Sequence, residues 1–405
     1  MKIAMVSVNA DPLEGTGSRN AYVAALCSEL CRHGNEVVVY TRQNGPRQRR
    51  TVRAEGGYRV VRVLAGPAGH LPNDEDVLGH ISEFARFLVG EWGREIPDVV
   101  HAHRWLSGLA SALAVRRLGL SMVQTFHGLD AVERRHQGRA GATTPERLRL
   151  ERVIGKSVSR IVACSTDELF ELARLGLPRA RMSVVPFGVD VDRFTTHGPA
   201  ESTGELRRIV GVGKLVPRNG FATTISALAA VPGAELVIAG GPEQERLADD
   251  PEARRLRETA RRAGVADRVR LLGRVSHDHM PALLRSAGLV ACTPWYELSG
   301  VAALEAMACG VPVVATAVGA LNDIVVDGVT GELVPPERSG ALAATLRRLV
   351  DDPALSEAYG TAATDRARSR YSWDRIATDM VRVYEKAAPG PGRELISQSG
   401  DDRSG

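Results

Sequence analysis

The chain has no run of eighteen apolar residues, few aromatic residues and almost no excess of charge. Aromatic residues make up 4% of the 405 positions, and 52 basic residues against 48 acidic ones give a net charge of +4. Without a long apolar run there is no transmembrane helix, so no integral membrane segment is expected. A net charge this small does not favour nucleic acid as a partner, and nothing in the sequence indicates an oligomer.

Cysteine is also scarce, with five residues and no second pair that would complete a metal site. All five lie within predicted helices or strands: Cys27, Cys31, Cys164, Cys292 and Cys309. We therefore expect buried free thiols and a reducing, cytoplasmic location. The apolar stretch at residues 1–10 is too short for a signal sequence and leads into a polar turn, which predicts a first buried strand.

What the chain does have is length and a regular alternation of apolar strands with amphipathic helices. With 405 residues, 44% of them hydrophobic and 25% charged, it is too long for one core, so two domains are expected. Residues 195–207 are polar and read as a linker between residues 1–194 and 208–370. The composition of residues 389–405 predicts a disordered tail.

The most informative stretch is ELSGVAALEAMACGVPVVAT, at residues 297–316. The apolar run Leu289 to Cys292 predicts a strand before it, Ser299-Gly300 can open a helix, Gly310 can end that helix, and VPVVAT predicts the next strand. A helix between two such buried strands is typical of a right-handed βαβ unit in a parallel sheet. The fold class expected is therefore α/β.

Chemistry is expected at the front end of this helix. Free N–H groups around Ser299, Gly300 and Val301 would form an anion site, because unpaired donors and the helix dipole both favour negative charge. Glu305, inside the helix, could accept the hydroxyls of a ribose whose phosphates those groups hold. Glu297 would then lie near whatever extends beyond the diphosphate.

This E-x7-E pattern, embedded in EAMACGVPVVA, resembles the signature of the retaining nucleotide-sugar glycosyltransferases of family 4. The resemblance implies the GT-B fold, in which two Rossmann-like domains face a cleft and helix 371–387 crosses back onto the first domain. It implies that the second domain binds a nucleotide diphosphate sugar, here expected to be UDP-linked, with no metal and no cofactor. The donor site is expected at Gly17, Lys214, Arg218, Asn219, Gly273, Arg274, Val275, Glu297, Leu298, Ser299, Gly300, Val301 and Glu305.

One donor segment departs from the family pattern. RIVGVGKLVPRNG stands where the family has G-R-L-x-x-x-K-G, whose arginine and lysine clamp the diphosphate. Lys214 keeps the charge of that arginine but loses its bidentate fork. Asn219 removes the second charge, although Arg218 is adjacent. A degenerate transferase that serves as a binding or scaffold protein is therefore one alternative function.

The first domain resembles the family members that glycosylate inositol phosphate. The segment HAHRWLSG, at residues 101–108, matches their H-x-H-x-W-L-S-G, with Arg104 in place of an aromatic residue at the acceptor phosphate. His127 matches the histidine that reaches the donor sugar, Gly128 stands where threonine is common, and Arg147 matches an acceptor-site arginine. The acceptor site is expected at Gly15, Asn20, His103, Arg104, Trp105, Asp130 and Arg147.

Other interpretations of these motifs are weaker. Gly15 and Gly17 follow a strand and precede a helix, but their spacing is not the G-x-G-x-x-G of a nicotinamide site. His101 and His103 could bind a metal only with a third ligand that the sequence does not supply nearby. The same histidines are what favours the other alternative, a nucleotide-sugar epimerase.

The sequence therefore predicts a retaining, metal-independent hexosyltransferase in which His127, Glu297 and Lys214 take part in catalysis. Two of three phosphate-holding positions differ from the inositol phosphate enzymes, so another small polar acceptor is expected. Acidic residues near His127, namely Asp130, Glu133 and Glu146, would suit a cationic one. Richness in Ala, Arg and Gly is typical of actinobacteria, where relatives make aminoglycoside antibiotics, and this favours an aminocyclitol or aminoglycoside precursor.

Overall fold

The computed structural model describes residues 1–14, 18–69, 71, 73–137 and 146–387. Gly15 and Gly17 of the predicted site and the predicted tail at residues 389–405 lie outside these residues. The described residues form two sheets in which parallel pairing dominates, with helices packed against them. The predicted α/β class is confirmed.

The first sheet has eight strands in the order β3-β4-β2-β1-β5-β6-β7-β8, all paired in parallel except for the edge strand β3. Its strands are β1 Lys2–Val6, β2 Glu36–Arg42, β3 Thr51–Arg53, β4 Arg59–Val63, β5 Val99–His103, β6 Met122–Thr125, β7 Arg160–Ala163 and β8 Met182–Val184. Most central positions are apolar and buried on both faces, as expected for parallel strands covered by helices.

The second sheet has six parallel strands in the order β11-β10-β9-β12-β13-β14. Its strands are β9 Arg207–Val212, β10 Ala234–Ala239, β11 Val269–Gly273, β12 Leu289–Cys292, β13 Val313–Thr316 and β14 Gly331–Val334. The order reverses between β9 and β12, and ligands bind at such switch points in open α/β sheets.

Helices cover both faces of each sheet. They are α1 Ser18–Arg32, α2 Asp74–Leu78, α3 Ile81–Arg94, α4 Arg104–Leu118, α5 Asp130–Gln137, α6 Arg147–Ser157, α7 Thr166–Arg174, α8 Phe221–Leu228, α9 Pro251–Arg262, α10 Met280–Arg285, α11 Val301–Ala308, α12 Leu321–Ile324, α13 Ser339–Asp351, α14 Pro353–Tyr371 and α15 Trp373–Ala387. In the part of the chain that the structure describes, no helix combines the length and apolarity that crossing a bilayer needs.

The last helix belongs to the core of the first sheet. Ile376, Met380 and Tyr384 of α15 are buried in one cluster with Ile3 and Met5 of β1. The chain thus returns to its first sheet after completing the second, as the resemblance implied.

Two junctions in the first half of the chain are tight. Only Gly79 and His80 separate α2 from α3, and the chain turns there. β5 ends at His103 and α4 begins at the next residue, Arg104, whose φ of 69° is unusual for a residue with a side chain.

Candidate active site

A cavity of about 240 Å³ lies at the carboxyl ends of β9 and β12, against the front of α11. Its lining includes Glu297 and Glu305, the two acids of the E-x7-E pattern. The predicted strand–helix–strand unit is confirmed: β12 and β13 pair in parallel on either side of α11 in the chain. Remaining members of the lining are Val212, Gly213, Asn219, Phe221, Ala291, Cys292, Thr293, Pro294, Ser299, Gly300, Val301, Ala302, Ala303 and Leu321.

The carboxylate of Glu297 holds the turn that leads into α11. Its Oε1 accepts hydrogen bonds from the backbone N–H groups of Ser299 and Gly300 and from the Ser299 hydroxyl, each at 2.9 Å. The expectation that the N–H groups of Ser299 and Gly300 are free is therefore wrong for this structure. The same bonds hold Glu297 at the cavity wall, because a carboxylate that fills three donors at a helix start has a fixed orientation.

Gly300 makes this turn possible. Its φ is 62°, and a Cβ there would lie 2.2 Å from Cδ1 of Ile324. Only glycine fits both the left-handed backbone and the close approach of α12.

Glu305 lies within α11 and is 8% exposed. Its Oε1 lies 3.3 Å from Nε2 of His277, and Nδ1 of the same ring lies 2.6 Å from Nη1 of Arg193. His277 follows β11 in the chain, so the ends of two strands and the start of a helix meet around this carboxylate. Sequence reasoning stopped at Val275 and missed His277, although a polar residue just beyond a parallel strand was the available signal.

The predicted diphosphate clamp lies beside the same cavity. Asn219 and Gly213 line it, and the Asn219 side chain donates to the carbonyl of Lys214 at 2.8 Å. Lys214 is exposed and Arg218 half-buried, each adjacent in sequence to a lining residue. In the described chain neither cationic head has a hydrogen-bond or ion-pair partner, so both are available to a ligand.

The expected base-flanking residues lie at the end of β11. Gly273 has a φ of 73° and accepts a hydrogen bond from the N–H of Gly240 at 2.7 Å. The Arg274 side chain lies 3.5 Å from Glu243, and both are exposed. These residues, with Val275, stand at the same sheet edge as the cavity but do not line it.

Three histidines stack at the carboxyl end of the first sheet. His127 Nε2 lies 2.8 Å from His103 Nδ1, and the rings of His103 and His101 are 4.1 Å apart. His127 has a φ of 53°, and its Nδ1 lies 3.7 Å from Sγ of Cys164. Burial lowers the pKa of His103 to about 3 and that of His101 well below its ordinary value.

These histidines do not form a metal site with one another. His101 Nδ1 lies 2.8 Å from the Tyr384 hydroxyl and Nε2 lies 2.8 Å from the Thr125 hydroxyl, so both nitrogens are occupied. The His103 ring is held between His127 and Sδ of Met5. The H-x-H pattern serves here to join the first strand, the last helix and His127.

The predicted acceptor residues Arg104 and Trp105 both bind one acid. The Asp74 carboxylate accepts from Nη2 of Arg104 at 3.2 Å and from Nε1 of Trp105 at 3.0 Å, while Asn9 donates to its other oxygen. Asn20, another predicted member, donates its amide to the carbonyl of Glu14.

Arg147 is enclosed by acids. It is 3% exposed and donates to Glu151 at 2.8 Å, to Glu133 at 2.9 Å and to the carbonyl of Gly128 at 3.2 Å. Burial raises the pKa of Glu151 to about 7, although Arg147 opposes that shift. Because its charge is already matched, Arg147 is poorly placed to bind a phosphate.

Asp130 stands next to this cluster and is fully buried. Its Oδ2 accepts from Arg134 at 2.6 Å, whereas its buried Oδ1 has no hydrogen-bond partner among the described residues. A buried carboxylate oxygen without a hydrogen-bond partner is costly.

The two halves of the site face each other. A Cβ at Gly128 would lie 3.1 Å from Glu133 and 3.8 Å from Leu298, so the His127 loop reaches the front of α11. The rings of His136 and Tyr296 stack at 5.1 Å, and the N–H of Thr166 donates to Asp323 at 2.6 Å. These contacts join α5, α7 and the loop after His127 to the segment that precedes α11 and to α12.

Comparisons with known proteins agree with this geometry. Residues 20–193 match the model described as Glycosyltransferase Family 4, and residues 192–366 match that of Glycosyl transferases group 1. The D-inositol 3-phosphate glycosyltransferase of Actinosynnema mirum is 34% identical, over 95% of this chain and 97% of its own. That of Mycolicibacterium smegmatis is 33% identical, over 95% of this chain and 91% of its own.

The chain belongs to the family 4 glycosyltransferases. Its fold is GT-B, as solved structures show: sucrose-phosphate synthase from Thermosynechococcus elongatus superposes with a TM-score of 0.84 at 27% identity, over 95% of this chain and 98% of the other. HepE from Anabaena, solved with UDP and glucose, gives a TM-score of 0.72 at 19% identity, over 95% and 99% of the two chains. This glycosyltransferase therefore has the fold and the activity class that its E-x7-E helix predicted.

Proposed function

We propose that this glycosyltransferase moves a hexose from a UDP-sugar to a hydroxyl of a small polar acceptor, with retention of anomeric configuration. The observation that carries the proposal is that Glu297 and Glu305 line one cavity. Next in sequence to two other lining residues stand Lys214 and Arg218, whose cationic heads have no hydrogen-bond or ion-pair partner among the described residues. Glu305 would accept the ribose hydroxyls, and Glu297 would orient the transferred sugar. HepE, solved with UDP and glucose, supports a uridine donor.

The proposed reaction is a front-face substitution. The bond from the sugar's anomeric carbon to the β-phosphate oxygen breaks, and a bond to the acceptor oxygen forms on the same face. The leaving phosphate takes the proton of the acceptor hydroxyl. Lys214 and Arg218 would neutralise the charge that develops on that phosphate, so the proposal includes neither a metal nor a cofactor. His127 would contact the sugar from the first sheet.

For the acceptor, we propose an aminocyclitol or an aminoglycoside precursor rather than an inositol phosphate. Support comes from Arg147, whose charge Glu133 and Glu151 already match, and from Oδ1 of Asp130, which has no hydrogen-bond partner within the part of the chain that the structure describes. An ammonium group complements this acidic surrounding, whereas a phosphate would meet it with like charge. Such an acceptor fits antibiotic biosynthesis, and the five free thiols support a cytoplasmic location.

The test is a transfer assay with UDP-glucose and UDP-N-acetylglucosamine. Acceptors are 2-deoxystreptamine, myo-inositol and D-inositol 3-phosphate. We expect a product with 2-deoxystreptamine whose anomeric configuration, read by NMR, is that of the donor. Glu133→Gln should lower kcat/KM for this acceptor about tenfold, since it loses one charge-assisted contact. Glu55→Gln, an exposed acid between β3 and β4 and outside the predicted site, is the matched control.

Other outcomes separate the alternatives. A preference for D-inositol 3-phosphate would overturn the acceptor proposal and leave the transfer intact. Conversion of the donor to an epimer without acceptor would make the chain an epimerase. A folded protein that turns over no donor would be a binding or scaffold protein.

A further inference from the structure

His277 lies against the carboxylate of Glu305, which lines the proposed donor cavity. The ring is 55% exposed, and its Nε2 lies 3.3 Å from Oε1 of Glu305. In the described residues, no other side chain hydrogen-bonds this carboxylate. The second oxygen, Oε2, has no hydrogen-bond donor among those same residues.

The direction of this hydrogen bond follows from the other side of the ring. Nη1 of Arg193 lies 2.6 Å from Nδ1 of His277, and a guanidinium can only donate. Nδ1 must therefore accept, which places the single proton of the neutral ring on Nε2. That N–H donates to Glu305.

Arg193 is itself held by the chain that joins the two sheets. It lies 3.3 Å from Asp278, and the next residue, Phe194, is buried in the second core with its ring edge-on to His277 at 5.2 Å. The imidazole is thus fixed from two sides before any ligand arrives. A preorganised side chain loses little entropy on binding.

We propose that His277 is a specificity-determining residue that makes the site select ribonucleotides over 2′-deoxyribonucleotides. By holding Oε1, it fixes the carboxylate of Glu305 so that both hydroxyls of a ribose can donate to it. A deoxyribose supplies one donor fewer and leaves part of a nearly buried carboxylate unpaired. This inference rests on the proposed function, which places a nucleotide diphosphate sugar in the cavity.

The experiment is calorimetric titration of the full chain with UDP, ADP and GDP, each paired with its 2′-deoxy form. We expect the nucleotide that binds to exceed its deoxy form about tenfold in affinity. His277→Ala should reduce this ratio to about twofold. His277→Gln, whose amide can still donate to Glu305, should restore part of it. His279→Ala, in the same segment, is the control, and thermal melts verify that each variant is folded.

The outcomes distinguish this inference from the function on which it rests. An unchanged ratio in His277→Ala, or a wild type that binds both forms equally, overturns the role of His277 while the donor site stands. Absence of binding by all three ribonucleotides overturns the proposed function, and the inference falls with it.

Discussion

His127 is held by neighbours that cannot carry charge. His103 and His101 are both fully enclosed, and burial lowers the pKa of each. Nε2 of His103 lies 2.7 Å from Sδ of Met5, which can only accept, so Nε2 carries the single proton of the neutral His103 ring. Nδ1 of His103 therefore accepts from Nε2 of His127 at 2.8 Å. The ring of His127 thereby keeps one orientation beside the cleft.

Replacing His103 with glutamine should change how stability depends on pH. The folded pKa of about 3 lies below the unfolded value of about 6.5, so the unfolded chain binds the extra proton between these limits. Stability from this group is therefore lost as pH falls below about 6.5. The advantage of wild type over His103→Gln should shrink by up to about 2 kcal/mol between pH 7 and pH 5.

Urea denaturation at both pH values measures this difference. Glu151 and Glu168, whose pKa values burial raises, contribute with the opposite sign but are present in both proteins and cancel. His279→Gln, at an exposed position, should leave the pH dependence of wild type unchanged. An advantage that stays constant or grows towards pH 5 would show that His103 is not a buried neutral ring.

At the scale of single residues, motifs in the sequence predicted which residues belong to the site but not which side chains they contact. Glu297, Glu305 and His127 were found from motifs, and two of them line the donor cavity. Arg147 was also found, but its neutralisation was not. The bond to Glu151 follows helical spacing, whereas Glu133 lies fourteen residues away on another helix and reaches Arg147 only through packing of α5 on α6.

The start of α11 shows which features of a structural element a sequence pattern predicts and which it does not. The strands and the helix could be predicted because the apolar runs, the glycine positions and the spacing all indicate the same strand–helix–strand unit. The hydrogen bonds of Glu297 to Ser299 and Gly300 were not predicted, since a carboxylate four residues before a helix can face solvent, ligand or backbone. Gly79 and His80 likewise interrupt a helical pattern at a place that composition leaves open.

Two substitutions at Glu297 should separate the effect of its hydrogen bonds to Ser299 and Gly300 from the effect of its charge. Glu297→Gln keeps an oxygen that can accept from Ser299 and Gly300, so we expect stability within about 1 kcal/mol of wild type. Glu297→Ala leaves these donors unpaired and should lower stability by about 1–2 kcal/mol. Both variants should lose at least about tenfold in turnover, because neither has the charge proposed to orient the sugar.

Denaturation curves measure the stability of each variant, and initial rates of transfer measure its turnover. Equal destabilisation by both variants would mean that interaction of the charge with the helix dipole, rather than the accepted hydrogen bonds, stabilises the turn. Full activity of Glu297→Gln would contradict the proposed role of the carboxylate in turnover.

The molecule as a whole consists of two sheets with their helices, and the chain crosses between them twice. Residues 185–206 lead from the first sheet to the second, and α15 returns. The two-sheet plan could be predicted from length and from alternation of strands and helices. The contacts across the cleft, such as His136 with Tyr296 and Thr166 with Asp323, could not, because they depend on how two finished units meet.

Hydrogen exchange of the full chain should therefore respond to UDP in one half of the molecule. We expect protection at residues 213–220 and 293–305, which include most of the cavity lining, and at residues 273–279, which include His277 beside Glu305. We expect little change in β1 and β5. At a hundredfold excess over Kd, binding raises the free energy of openings that release the ligand by about 2.7 kcal/mol. Glu305→Ala with UDP is the control and should lose most of this protection.

An acceptor added after UDP should increase protection at residues 127–135, because Gly128 and Glu133 approach Leu298 across the cleft. If UDP instead protects mainly the first sheet, the nucleotide binds there, and the proposed donor site in the second sheet is wrong.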